Sequence, residues 1–112
     1  MNAVMKNELI RTDEEGYLID PGEWSESVAH QLAQTEQLQL EEDHWQVIRF
    51  MRSYYDDHQV AADARFVVRH LADACGYGKD AKRRLFQLFP YGYVKQACKI
   101  AGMKRPRAWS TG

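Results

Sequence analysis

Cys98 lies near the end of the chain in the run Lys95-Gln96-Ala97-Cys98-Lys99. A cationic setting lowers a thiol's pKa and so raises the thiolate, which is the nucleophile in persulfide and disulfide exchange. The C-terminal end of a helix acts the other way, because its dipole disfavours an anion. The plain alternative is a small buried residue in the last helix. Cys75 follows Ala74 on an apolar helix face and reads as core, whereas Cys98, at the root of the C-terminal arm beside Lys99, is the thiol expected to be reachable. Two cysteines make neither a disulfide framework nor a Cys-x-x-Cys motif. His30, His44, His58 and His70 show no ligand spacing, so no metal or other cofactor is expected.

Two basic stretches accompany this thiol. Lys99, Lys104, Arg105, Arg107 and Trp109 form a candidate partner-binding arm. Cations interleaved with an aromatic suit a phosphate backbone with a stacked base. They equally suit a tryptophan docked in a partner's pocket, or a solvated terminus. If Trp109 docks on its own protein, the expected place is a groove near Arg65 and the third helix. Lys79, Lys82, Arg83 and Arg84 follow the break Gly76-Tyr77-Gly78 and open a helix, as in a helix-turn-helix whose second helix contacts DNA. Simple packing of two helices with a solvated basic face explains the same pattern. Glu41-Glu42-Asp43-His44 invites an acid/base reading, but acids in a first helical turn are accounted for by the helix dipole. No Ser/His/Asp order, glycine-rich phosphate loop or paired carboxylates occur.

The elements that must position these residues follow from periodicity. The fold class is mainly α: about five helices with an N-terminal β-hairpin. The hairpin is expected from Glu8–Thr12 and Tyr17–Asp20 around an acidic turn ending at Gly16. Helices are expected from Asp20-Pro21 to Thr35, from Glu41 to His58, from Ala61 to Cys75, from Asp80 to Phe89 and from Gly92 to Ala101. Gly102 suits the left-handed C-terminal cap. The division is a helical domain over 1–102 and a flexible C-terminal arm over 103–112. At 112 residues the chain can bury a core without staples. No apolar run approaches the ~20 residues that span a bilayer. Met1–Lys6 lacks a signal peptide's apolar stretch, so the expected compartment is the cytoplasm. The net charge of −1 conceals a division: residues 1–60 hold 13 acids and 4 bases, and residues 61–112 hold 3 acids and 11 bases. Such asymmetry bears on partners more than on fold.

Phe89-Pro90-Tyr91-Gly92, Lys95-Gln96-Ala97-Cys98, Ile100-Ala101-Gly102 and Pro106 resemble the C-terminal signature of the DsrC/TusE family of sulfur-relay proteins. Asp13-Glu14-Glu15-Gly16-Tyr17-Leu18, His44-Trp45, Tyr54-Tyr55 and Arg65 extend the resemblance over nearly the whole chain. It implies a helical domain with an N-terminal hairpin, and a protein that accepts persulfide sulfur from an upstream carrier and hands it on. In one branch the end use is 2-thiolation of a tRNA wobble uridine. The implied partners are sulfur-carrier proteins of that relay and a tRNA thiouridylase, with no membrane. The resemblance also places the family's carrier cysteine on the arm, eleven residues after Cys98, where this chain has Trp109. Relatives with both cysteines use the one at Cys98 as partner of the arm cysteine. Here either Cys98 carries the sulfur, or the protein binds the relay's partners without carrying it. A DNA-binding regulator using the 80–89 helix is the alternative from another class.

Overall fold

The structure, a computed structural model, describes residues 10–104. The first turn of these residues shows why local pattern misleads here. The expected hairpin is replaced by a single antiparallel bridge between Thr12 and Leu18; Glu8 and Leu9 lie outside the described residues. A half-buried strand alternates inward and outward side chains. Tyr17 and Leu18 are consecutive and both buried, so the core takes two neighbours and the alternation is lost. The Asp13 carboxylate closes the turn, accepting from the amides of Glu15 (2.9 Å) and Tyr17 (3.0 Å).

Five helices follow. Asp20-Pro21 opens only a 3-10 turn, Pro21–Glu23, because Ser25 caps the true helix by accepting from the Val28 amide at 3.2 Å. That helix, α1 (Glu26–Thr35), buries Ala29, Leu32 and Ala33. Helix α2 (Glu42–His58) carries Glu42 and Asp43 in its first turn and buries His44, Val47, Ile48 and Met51. Helix α3 (Ala64–Asp73) starts later than expected, since the Asp63 carboxylate caps it through the Arg65 amide at 2.9 Å. A 3-10 turn, Gly78–Asp80, leads into α4 (Ala81–Leu88); Asp80 makes no side-chain cap there. The last helix, α5, is a π-helical segment, Tyr93–Ala97, running into an α-helical turn, Cys98–Ile100. Helix α3 packs against both α2 and α4, and the end of α5 packs against α1.

His44 joins two of these elements. Its Nδ1 accepts from the Glu41 amide at 2.9 Å and its Nε2 lies 2.8 Å from the Leu88 carbonyl at the end of α4. Only the neutral ring with the proton on Nε2 makes both bonds. Beyond Leu88 the chain turns tightly, with the Gly92 amide donating to the Phe89 carbonyl at 2.8 Å.

Candidate functional site

Helix α5 has two faces, and the thiol is on the inner one. A π turn returns after about five residues rather than four, which brings Tyr93 and Cys98 together. The Cys98 amide donates to the Tyr93 carbonyl, and the Tyr93 hydroxyl donates to the Ala62 carbonyl. Cys98 is 0% exposed. Burial pushes its thiol up to about 12, while contact with the Tyr93 hydroxyl pulls weakly the other way. Burial likewise raises the Tyr93 phenol. This corrects the expected cationic setting: Cys98 is a neutral thiol in a dry interior. Cys75 is only partly buried, so of the two thiols it is the more accessible. Burial, then the fields of Asp43 and Glu42, raise its pKa.

The lysines occupy the outer face. Lys99, next to Cys98 in sequence, points away from it and pairs with Glu36 at 2.9 Å. Its ammonium lies 5.4 Å from the centre of the Tyr17 ring. Glu15, Tyr17, Glu36, Tyr91, Lys95 and Lys99 line a cleft of ≈ 510 Å³. Beneath it Gln96, 1% exposed, accepts from the Tyr91 amide at 3.0 Å and donates to Glu36 at 3.2 Å. The Tyr17 hydroxyl donates to the Val94 carbonyl at 2.8 Å.

The root of the arm is held from three sides. Trp24 Nε1 donates to the Ile100 carbonyl at 3.0 Å. The Arg52 guanidinium donates to the carbonyls of Ala101 and Pro21, each at 3.1 Å, and lies 4.6 Å from the Trp24 ring centre. Gly102 has the expected positive φ, +80°, and a Cβ there would stand 2.5 Å from Trp24 Cδ1. The Met103 amide donates to the Cys98 carbonyl at 2.9 Å and Met103 is buried; Lys104 is the first exposed residue. Arg105, Arg107 and Trp109 lie outside the described residues. Phe50, Tyr54, Phe66 and His70 line a cleft of ≈ 490 Å³ between α2 and α3, and Arg65 is not among its lining residues.

The basic residues of the helix-turn-helix reading divide. Arg84 is committed inward, donating to Asp43 Oδ2 through Nη2 at 2.9 Å and Nε at 3.1 Å, and the Tyr77 hydroxyl donates to the same oxygen. The Tyr77 bond first, and Arg84 after it, hold the Asp43 carboxyl below its usual range. Asp43 therefore ties α4 to α2 in addition to its place in a first helical turn. Arg83 meets Asp80 at 3.5 Å, and Lys79 and Lys82 are exposed. Among the described residues no His/Cys/Asp/Glu group could hold a metal ion, and no helix is long and apolar enough to cross a membrane.

Sequence reasoning missed Tyr93, Gln96, Glu36, Trp24 and Arg52. A polar Gln96 at helical spacing between the apolar Tyr93 and Ile100 was the one visible signal. The Tyr93–Cys98 pairing had none, since five residues do not share a face of an ordinary α-helix.

Similar proteins place this geometry. Over 97 residues the chain is 43% identical to the sulfurtransferase TusE of Pectobacterium atrosepticum, covering 87% of this chain and 89% of that protein. It is 39% identical over 103 residues to TusE of Escherichia coli K12, covering 92% and 94%. Among solved structures, the oxidized gamma-subunit of the dissimilatory sulfite reductase (DsrC) from Archaeoglobus fulgidus aligns with a TM-score of 0.77 at 34% identity, covering 90% of this chain and 92% of that one. The NMR structure of Allochromatium vinosum DsrC aligns with a TM-score of 0.77 at 38% identity, covering 88% of each chain. None of these four is described as a DNA-binding protein. The family model for DsrC like protein matches residues 4–108, and with that match and these relatives the chain belongs to the DsrC-like family.

Proposed function

We infer that this chain is a sulfur-relay protein that acts by binding the relay's partners, without carrying sulfur on Cys98 in the arrangement described. The single observation behind this is the state of that thiol: 0% exposed and pushed up to about 12. Persulfide transfer needs a thiolate that reaches the donor's sulfur, and a dry thiol offers neither charge nor access. The arm position that the family resemblance gives to the carrier holds Trp109. The partners proposed are sulfur-carrier proteins of the same relay, with a tRNA thiouridylase as the downstream member and the cytoplasm as the compartment. Lys104 at the root and Arg105, Arg107 and Trp109 beyond it are the proposed contacts of the arm, whereas Lys99 is taken up by Glu36.

A second reading draws on the π-helical segment. Such segments are often found at functional sites, and this one immediately precedes Cys98. Opening of α5 at Tyr93 would expose the thiol to a donor. One experiment separates the two readings. The purified chain is incubated with a cysteine desulfurase and a persulfide-loaded carrier, then analysed by intact mass. The expected outcome is binding of the carrier with no sulfur adduct, and gain of an adduct in Trp109→Cys. An adduct mapped to Cys98 of the unaltered chain would establish carriage and overturn the first reading.

A further inference from the structure

The turn between α4 and α5 holds an aromatic residue in solvent, and buried chemistry keeps it there. Phe89 is fully buried and Gly92 is buried, while Pro90 and Tyr91 between them are exposed, Tyr91 by 71%. Gly92 has φ +101°, a conformation that other residues rarely adopt. The Tyr91 amide is held by Gln96, a buried side chain whose other end is held by Glu36. Tyr91 is therefore presented on a rigid support, and binding need not pay the entropy of ordering that loop.

The surroundings say what would bind. On the outer face of α4, Lys82 and Phe86 are four residues apart, both exposed, Phe86 by 49%. Lys95 lines the same cleft as Tyr91 and, among the described residues, makes no ion pair. Between residues 79 and 104 the chain has seven bases and one acid. Arg84 and Lys99 are satisfied internally and exposed Arg83 meets Asp80, the one acid of this stretch, which leaves Lys79, Lys82, Lys95 and Lys104 to face outward.

We propose that Pro90 and Tyr91, with Lys82 and Phe86 on α4 and Lys95 on α5, form a docking surface for an acidic protein partner, with Tyr91 as the anchor. Exposed apolar side chains interspersed along the chain with exposed lysines match an apolar pocket with an acidic rim, and tyrosine is among the residues that dominate such contacts. Glu15 and Glu36 also line the cleft, Glu36 paired with Lys99, and the exposed apolar side chains Phe86 and Pro90 offer no contact to a phosphate, so a nucleic acid is the outcome of the test that counts against the proposal. The proposal names a contact surface for the partner-binding function above and rests on that reading.

The test uses the full chain. Tyr91 is replaced by a photo-crosslinking benzoylphenylalanine in cells, with the same replacement at exposed Ser53 on α2 as control. The expected result is an adduct specific to position 91 whose partner segment is net acidic and contains apolar residues. With that partner purified, Tyr91→Ala should weaken binding about tenfold or more, and Lys95→Glu should weaken it and flatten its salt dependence. An adduct on RNA or DNA, a partner segment that is not acidic, no excess over Ser53, or unchanged affinity in Tyr91→Ala would each overturn the proposal. The sulfur-transfer assay reports on the other reading independently. A specific acidic partner that belongs to no sulfur relay would leave this surface standing while the relay function fails.

Discussion

On its inner face α5 carries Cys98 and Tyr93 against Ala62, dry and uncharged. On its outer face it carries Lys95 and Lys99, with Tyr91 and Glu36 beside them. Cys98 and Lys99 are neighbours in sequence, yet Lys99 is neutralised by Glu36 on one side while Cys98 meets burial and the Tyr93 hydroxyl on the other. Proximity along a chain is therefore not electrostatic proximity. A field acts through space, and consecutive residues on a helix point in directions about 100° apart. The inner face holds the fold together, and the outer face carries the lysine and tyrosine of the proposed docking surface.

The largest effect expected from this difference is in thiol reactivity. A pKa raised from 9.0 to about 12 cuts the thiolate fraction about a thousandfold near neutral pH. Alkylation of the native protein followed by peptide mass analysis should label Cys75 well before Cys98. Equal rates would mean that the inner face opens readily and that the two faces are less distinct than drawn.

Gly102→Ala comes next. It puts a Cβ 2.5 Å from Trp24 Cδ1 in a left-handed conformation, so overpacking and backbone strain together should cost about 3 kcal/mol. Thermal melting checks this, and an unchanged midpoint would show that the arm root is not clamped. Tyr93→Phe should cost about 1–2 kcal/mol by leaving the buried Ala62 carbonyl without its donor. Cys98 should stay unreactive in that variant, because burial rather than the hydroxyl sets its pKa.

Acid should weaken the fold through His44. Burial lowers the pKa of its ring below the ordinary 6.5, outweighing the Leu88 carbonyl bond and the fields of Glu41 and Asp43 that raise it; Arg84 adds to the lowering. The folded state then binds fewer protons than the unfolded one, so this stability is present above about pH 6.5 and is lost as pH falls below it. A second proton would go on Nδ1, where the Glu41 amide now donates. Denaturant midpoints from pH 7.5 down to 5 should decline, and His44→Gln should flatten that decline. The smallest effect is expected from Lys99→Gln, because Gln96 still donates to Glu36 and a glutamine amide at position 99 can do so too. Loss of the charge alone from a pair with side chains 14% and 16% exposed should cost about 1 kcal/mol. Alkylation of Cys98 should not change; a changed rate would put Lys99 back in electrical contact with the thiol.

The helical class, the order of five helices and the Gly102 cap follow from the sequence alone, because apolar periodicity and capping chemistry are local. The family was legible too, since its signature lies in contiguous runs such as Phe89-Pro90-Tyr91-Gly92 and Lys95-Gln96-Ala97-Cys98. The N-terminal hairpin was not, because local turn chemistry cannot announce that Tyr17 and Leu18 will both be drawn into the core. Nor was the environment of Cys98. The π register that pairs it with Tyr93, the Ala62 carbonyl that receives the phenol and the Glu36 carboxylate that turns Lys99 away all come from packing between segments distant in the chain. Propensity and periodicity are properties of a few residues at a time. Desolvation and pairing depend on what the rest of the chain brings within a few ångströms, and here only the tertiary structure decided that the thiol is silent and the tyrosine exposed.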